Sequence, residues 1–154
     1  MSKIVHPYAH RLIILRDWKS HWFANPKKYR DYLRGDVLIR EYLEKKLRSM
    51  YVSSIEIERN QKATKFIIRT SRPGLIIGRN GEGINKLKED ILKKIKKAKL
   101  ATPENFKVEV VEVSSPEADA SIVAFMVAEG LEKRLPFRKV MKQTVVKVMM
   151  TTGV

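Results

Sequence analysis

Ser71-Arg72-Pro73-Gly74-Leu75-Ile76-Ile77-Gly78-Arg79-Asn80-Gly81-Glu82-Gly83-Ile84-Asn85-Lys86-Leu87 is the stretch that decides the fold. Pro73 and Gly74 open a short turn of helix with Ile76 and Ile77 on its apolar face. Gly78-Arg79-Asn80-Gly81 breaks that helix, and a second begins at about Glu82. In the second helix Ile84, Leu87, Ile91, Leu92 and Ile95 recur as one apolar stripe. Lys86, Lys88, Lys93, Lys94, Lys96, Lys97 and Lys99 fall mostly outside it. Two helices therefore meet at a Gly-x-x-Gly turn, and a basic helix leads away.

Such a turn suits contact with a nucleic-acid backbone. Glycines at both ends allow positive φ and remove the Cβ atoms that would hold a phosphate away. Free N–H groups at the start of the next helix favour an anion, and Ile76, Ile77 and Ile84 can line an apolar floor for bases. The competing reading is a tight helix–helix turn whose glycines serve geometry alone. The apolar residues before the turn and the lysines after it favour nucleic acid. The run resembles the KH domain, whose Gly-x-x-Gly loop clamps a short single-stranded segment.

The 154 residues suffice for one or two small domains, and 44% apolar content supports a modest core. Lys and Arg number 32 against 17 Asp and Glu, a formal charge of +15. That excess points to a polyanionic partner, nucleic acid first and an anionic membrane second. No apolar run is long enough to span a bilayer, and the N-terminus lacks an apolar signal core, so a cytosolic, cytoplasmic protein is expected. The absence of cysteine excludes disulfide and thiolate chemistry. His6, His10 and His21 have no metal-like partners nearby in sequence, so neither a metal nor a cofactor is expected.

Residues 1–35 read as a basic, aromatic N-terminal arm. Lys3, Arg11, Arg16, Lys19, Lys27, Lys28, Arg30 and Arg34 outnumber Asp17 and Asp31, and Trp18, Trp22, Phe23 and Tyr29 lie among them. Arg11 to Leu15 reads as a short strand or a packed arm, and Asn25-Pro26 starts a helix running from Lys27 to Leu33. Basic residues interleaved with rings suit an arm that threads RNA. Tryptophans that merely anchor the arm on the domain explain the pattern equally well.

Asp36 is expected to cap a helix over residues 37–48. Tyr51 to Glu58 and Ala63 to Thr70 alternate as two strands joined through Arg59-Asn60-Gln61-Lys62, a hairpin. Thr102-Pro103 marks a loop, and Phe106, Val108 and Val110 begin a third strand. The order helix, strand, strand, helix, Gly-x-x-Gly, helix, strand is that of the type II KH domain. The fold class is thus α+β, with a KH domain over 36–114 on a three-stranded sheet. Ser115-Pro116-Glu117 starts a helix running to about Arg134. Pro136 interrupts it, and a last helix spans Phe137 to about Thr151. In that helix Phe137, Met141, Thr144, Val145 and Val148 form one side, with Arg138, Lys139 and Lys142 opposite. A basic helical face is commonly just solvated. Val146 and Met149 fall outside the stripe and call for cover by something beyond this chain.

Several segments together resemble the bacterial-type small-subunit ribosomal protein S three family: Val5-His6-Pro7, Arg11-Leu12, Trp18-Lys19-Ser20-His21-Trp22-Phe23-Ala24, Arg72 to Gly81, and Leu131-Glu132-Lys133-Arg134 leading into Phe137 to Lys142. The tryptophan motif is the specific part. The resemblance implies a structural constituent of the small-subunit head that binds ribosomal RNA and neighbouring ribosomal proteins. It implies further that Arg138, Lys139 and Lys142 face the channel through which messenger RNA enters, where the family is linked to unwinding of structured messages. The RNA-binding residues expected are Gly78, Arg79, Asn80, Gly81 and Lys86 at the turn, with Arg11, Trp18, Trp22, Lys27 and Lys28 in the arm.

Two departures stand out. Asn80 leaves Arg79 as the only basic residue in the loop. Family members usually continue into a C-terminal domain with a further sheet, so residues 115–154 are expected to begin a domain whose remainder is absent. A free-standing KH-domain RNA chaperone or regulator is the alternative, although such a protein would not need the Trp18–Trp22 arm. A nucleotide hydrolase or nuclease fits less well, because no Gly-Lys-Ser/Thr follows the glycines and no acidic pair stands out.

Overall fold

The computed structural model describes residues 4–15, 17–60, 63–98 and 105–152. Its elements in order are α1 (Pro7–His10), β1 (Ser20–His21), α2 (Pro26–Lys46), β2 (Val52–Arg59), β3 (Ala63–Thr70), α3 (Pro73–Ile77), α4 (Glu82–Lys97), β4 (Asn105–Glu112), α5 (Ala120–Glu132) and α6 (Phe137–Thr152). From α2 to β4 this is the expected type II KH order. The expected Thr102-Pro103 loop, the Gln61-Lys62 half of the hairpin turn, and Lys3, Arg16 and Lys99 lie outside the described residues.

Alternation in β2 and β3 sets the sheet. The two strands pair antiparallel, with Ile55 opposite Ile68 and Ile57 opposite Phe66, while β4 runs parallel to β3, with Val108 opposite Phe66. Strand period two sends these residues to one face, where Ile39 and Leu43 of α2, Leu47 just after it, and Leu87, Ile91 and Ile95 of α4 complete the core. The other face is charged: Lys65 lies 2.8 Å from Glu109, and Arg69 donates to Glu56 at 2.7 Å. The sheet has four strands rather than the expected three, because β1 from the N-terminal segment pairs parallel to β2.

The two expected helices before β2 are one. α2 runs unbroken across residues 35 and 36, and Gly35 and Asp36 are buried within it. Asp36 caps nothing: its carboxylate accepts a 2.6 Å hydrogen bond from Trp22 Nε1 and pairs with Arg59. An aspartate caps a helix only when its oxygens turn to backbone N–H groups, and here tertiary partners take both. Arg11 to Leu15 is mostly turn rather than a strand, with a single bridge at half-buried Leu12. Ile13 has φ 72°, and Ile13, Ile14 and Leu15 are exposed.

The C-terminal pair also shifts. Ser115-Pro116 opens only a 3₁₀ turn, Pro116–Ala118, and α5 starts at Ala120. Asp119 caps it, accepting from Ser121 N at 2.8 Å, and its second oxygen bonds Ser53 of β2. The helix ends at Glu132, and Arg134 turns the chain at φ 59°. In α6 Val140 is buried against Gly130 of α5, and Thr144 and Val148 of the expected stripe are half-buried on the same side, whereas Phe137, Met141 and Val145 are exposed. Apolar residues surround much of α6, so periodicity alone does not choose the packed face. Val146 and Met149 are exposed, as expected.

Candidate nucleic-acid interface

The Gly-x-x-Gly turn is built by backbone geometry. Gly78 has φ 71° and ψ −178°, a region essentially confined to glycine, and Gly81 has φ 79°. Asn80 between them is left-handed at φ 52°, a conformation asparagine tolerates. Gly83, one turn on, matters as much: a Cβ there would lie 2.4 Å from the Ile76 carbonyl oxygen. The sequence shows this glycine but not the close approach of α3 to α4 that requires it. At the start of the turn, the buried Thr70 hydroxyl donates to the Met50 carbonyl at 2.6 Å and accepts from Arg72 N at 3.1 Å, fixing where α3 leaves the sheet.

Gly78, Arg79 and Asn80 are exposed and Gly81 half-exposed, so the loop presents one cation and a flexible amide to solvent. Ile76 is not part of an apolar floor: it is 2% exposed and belongs to the core. Ile77, partly buried Ile84 and exposed Leu75 are what α3 and α4 leave beside the loop. Lys86 is exposed, 3.8 Å from Glu82 one turn back. Deeper along α4, Lys46 of α2 pairs with Asp90. That hydrogen bond, then the charge behind it, holds the Asp90 carboxyl below its ordinary range and raises the Lys46 ammonium. Lys94 lies 4.8 Å over the Tyr42 ring. These cations tie α2 to α4 and are less available to a ligand than Arg79.

In the N-terminal segment Trp22 anchors. Its ring lies 5.1 Å from Tyr29 and 5.8 Å from Tyr32, with its N–H on Asp36. Trp18 is half-exposed, and exposed Arg11 donates to the Pro7 carbonyl at 3.0 Å. Lys27 and Lys28 are exposed in the first turn of α2, which carries no acidic residue. Cations at the positive end of a helix oppose its dipole, a placement that stability alone does not favour. Phe23, which sequence reasoning did not single out for binding, is 93% exposed. On α6, Arg138, Lys139 and Lys142 are exposed on the side away from Val140, in no ion pair among the described residues. The three surfaces are separate; among the described residues nothing brings the loop, the arm and α6 into one pocket.

The described residues contain no group of three His, Cys, Asp or Glu able to hold a metal ion, and Glu56 and Glu58 face Arg69 and Lys65 across the sheet. No described helix is long and apolar enough to cross a membrane. The family described as KH domain matches residues 38–118, more than half of the chain. This chain belongs to the KH domain family. Beyond the KH domain itself, the chain is similar to proteins named small ribosomal subunit protein uS3. That of Clostridium novyi is 42% identical over 149 residues, 97% of this chain and 65% of the relative. That of Caldicellulosiruptor bescii is 41% identical, over 97% and 64%, and that of Hydrogenovibrio crunogenus 42%, over 97% and 62%. The chain thus spans a little under two thirds of the length of these relatives.

Proposed function

We propose that this KH-domain chain is a structural, non-catalytic component of the small ribosomal subunit, of the S three family, working in the cytoplasm. The observation that supports this most is the likeness to uS3 proteins over 97% of the chain, since it takes in the arm and α6 as well as the KH domain. The arm, through Arg11, Trp18, Lys27 and Lys28, and the loop, through Arg79 and Asn80, hold ribosomal RNA. Trp22 contributes by fixing the arm to α2. Arg138, Lys139 and Lys142 contact messenger RNA where it enters, and the exposed apolar side of α6 meets protein neighbours in the subunit head. The arm with the first turns of α2, the KH domain and the helical pair are the units of that arrangement, the expected boundary at residue 35 falling inside α2. An arm joined to the sheet by β1 is more than a free-standing KH regulator needs.

A filter-binding titration of the purified chain against small-subunit ribosomal RNA tests the RNA-binding half. Tight binding that weakens with added salt is expected, along with weaker binding by R79D/N80D, whose anionic side chains oppose the phosphates. Binding no tighter than to an unrelated RNA of equal length would count against the ribosomal assignment. Unchanged affinity of R79D/N80D would remove the loop from the interface.

A further inference from the structure

Between the segment that follows β1 and the end of β2 at Arg59 and Asn60 lies a cleft of about 890 Å³, lined also by Phe23, Asn25, Lys28 and Tyr32. Its size is within the range of about 300–1,000 Å³ usual for small-molecule sites. Neighbouring side chains have opposite fates here. Trp22 turns inward onto Asp36, Tyr29 and Tyr32, while the Phe23 ring is 93% exposed. The cleft wall is fixed: the Arg59 guanidinium lies 4.6 Å over the Tyr32 ring and is pinned by Asp36. Asp36 neutralises Arg59, so among the described lining residues the unbalanced positive charge is that of Lys28, which is in no ion pair among the described residues. The side-chain amides of Asn25 and Asn60 make no hydrogen bond among the described residues.

We propose that this cleft is a subsite for one nucleotide of single-stranded RNA. The base stacks on the Phe23 ring, Lys28 meets the adjoining phosphate, and Asn25 and Asn60 read the base edge. Each role follows from the group. A free aromatic face takes any base, an unpaired ammonium is a point charge for phosphate, and an amide offers both donor and acceptor. A peptide would use the ring but has no need of an uncompensated cation beside it, and an inorganic anion would not need the ring. This deepens the RNA-binding reading of the arm and rests on it.

The test is binding of a short fluorescent oligouridylate to the full chain, by anisotropy, for wild type, F23L, F23Y and K28Q. Phe23 is outside the core, so all four should melt alike. Loss of stacking in F23L is expected to weaken binding roughly 5- to 150-fold, while F23Y keeps the ring and the affinity. K28Q should flatten the dependence of affinity on salt. Ultraviolet crosslinking followed by peptide mapping should place an adduct on Phe23. If the wild type binds and F23L binds equally well, or F23L and F23Y fall together, the subsite is refuted and the RNA-binding reading stands. If the wild type does not bind the oligonucleotide but still binds small-subunit ribosomal RNA, the subsite alone is refuted; if it binds neither, both fail.

Discussion

Replacing Gly83 by alanine probes the joint on which the Gly-x-x-Gly turn depends. The new methyl group would sit 2.4 Å from the Ile76 carbonyl oxygen and 2.8 Å from that of Ile77. Both atoms are backbone of α3, and Ile76 is itself clamped in the core, so neither can swing aside. Alanine favours a helix over glycine by about 1 kcal/mol, which offsets part of the clash. Overpacking generally costs about 1–3 kcal/mol, and an approach this short belongs at the upper end, leaving a net loss of about 2 kcal/mol. With a urea dependence of about 2 kcal/mol per molar, the unfolding midpoint should fall by about 1 M. Two companions calibrate the effect. Gly74→Ala meets nothing within 4 Å and should stabilise by about 0.4–1 kcal/mol. Gly130→Ala meets the Val140 side chain first, at 3.0 Å, a looser approach and to a side chain rather than to backbone, so it should fall between the other two. A G83A midpoint equal to that of G74A would refute the close approach of α3 to α4.

Asp36→Ala should destabilise by about 3 kcal/mol in a thermal melt, because it strands the Arg59 charge and the Trp22 N–H; a mere cap would cost about 1 kcal/mol. The Lys46–Asp90 pair carries a pH signature. Asp90 titrates below its ordinary value, so its stabilisation is present above the unfolded carboxyl's pKa and is lost as pH falls through the folded one. Lys46 titrates above its ordinary value, so its share is present below the unfolded pKa and is lost as pH rises through the folded one. The stability gap between wild type and Asp90→Asn, followed by urea unfolding across pH, should therefore be widest between those limits and close at both ends. Alanine at Arg138, Lys139 and Lys142 should leave stability within about 0.5 kcal/mol each. The slope of log affinity for single-stranded RNA against log salt should fall by roughly 0.7 for each phosphate that is no longer neutralised.

Local periodicity carried the part of the fold that sequence made legible. The α4 stripe of Leu87, Ile91 and Ile95 is buried as its spacing requires, and Ile55 and Ile57 alternate with Glu56 and Glu58. What stayed hidden was decided by partners far along the chain. Asp36 looks like a cap until Trp22 and Arg59 claim its carboxylate. Ser115 looks like a cap until Asp119, tied to Ser53, supplies a charged one. β1 is two residues long, too short for alternation to register, and exists because β2 offers an edge. At the interface, the glycine spacing made the turn readable. Which aromatic of Trp22-Phe23 faces solvent was not, since that depends on the buried acceptor in α2.

The central claim, that this KH-domain chain is a working part of the small subunit, is tested most directly by sedimentation. Cells carrying an epitope-tagged copy are lysed, ribosomes are dissociated into subunits, and the small subunit is pelleted after a moderate salt wash. The account predicts that the chain stays with the small subunit in constant proportion to its RNA, and that the R138A/K139A/K142A variant is retained equally. A chain recovered in the soluble fraction, or spread across RNAs of all sizes, would contradict it and favour a free-standing RNA-binding protein.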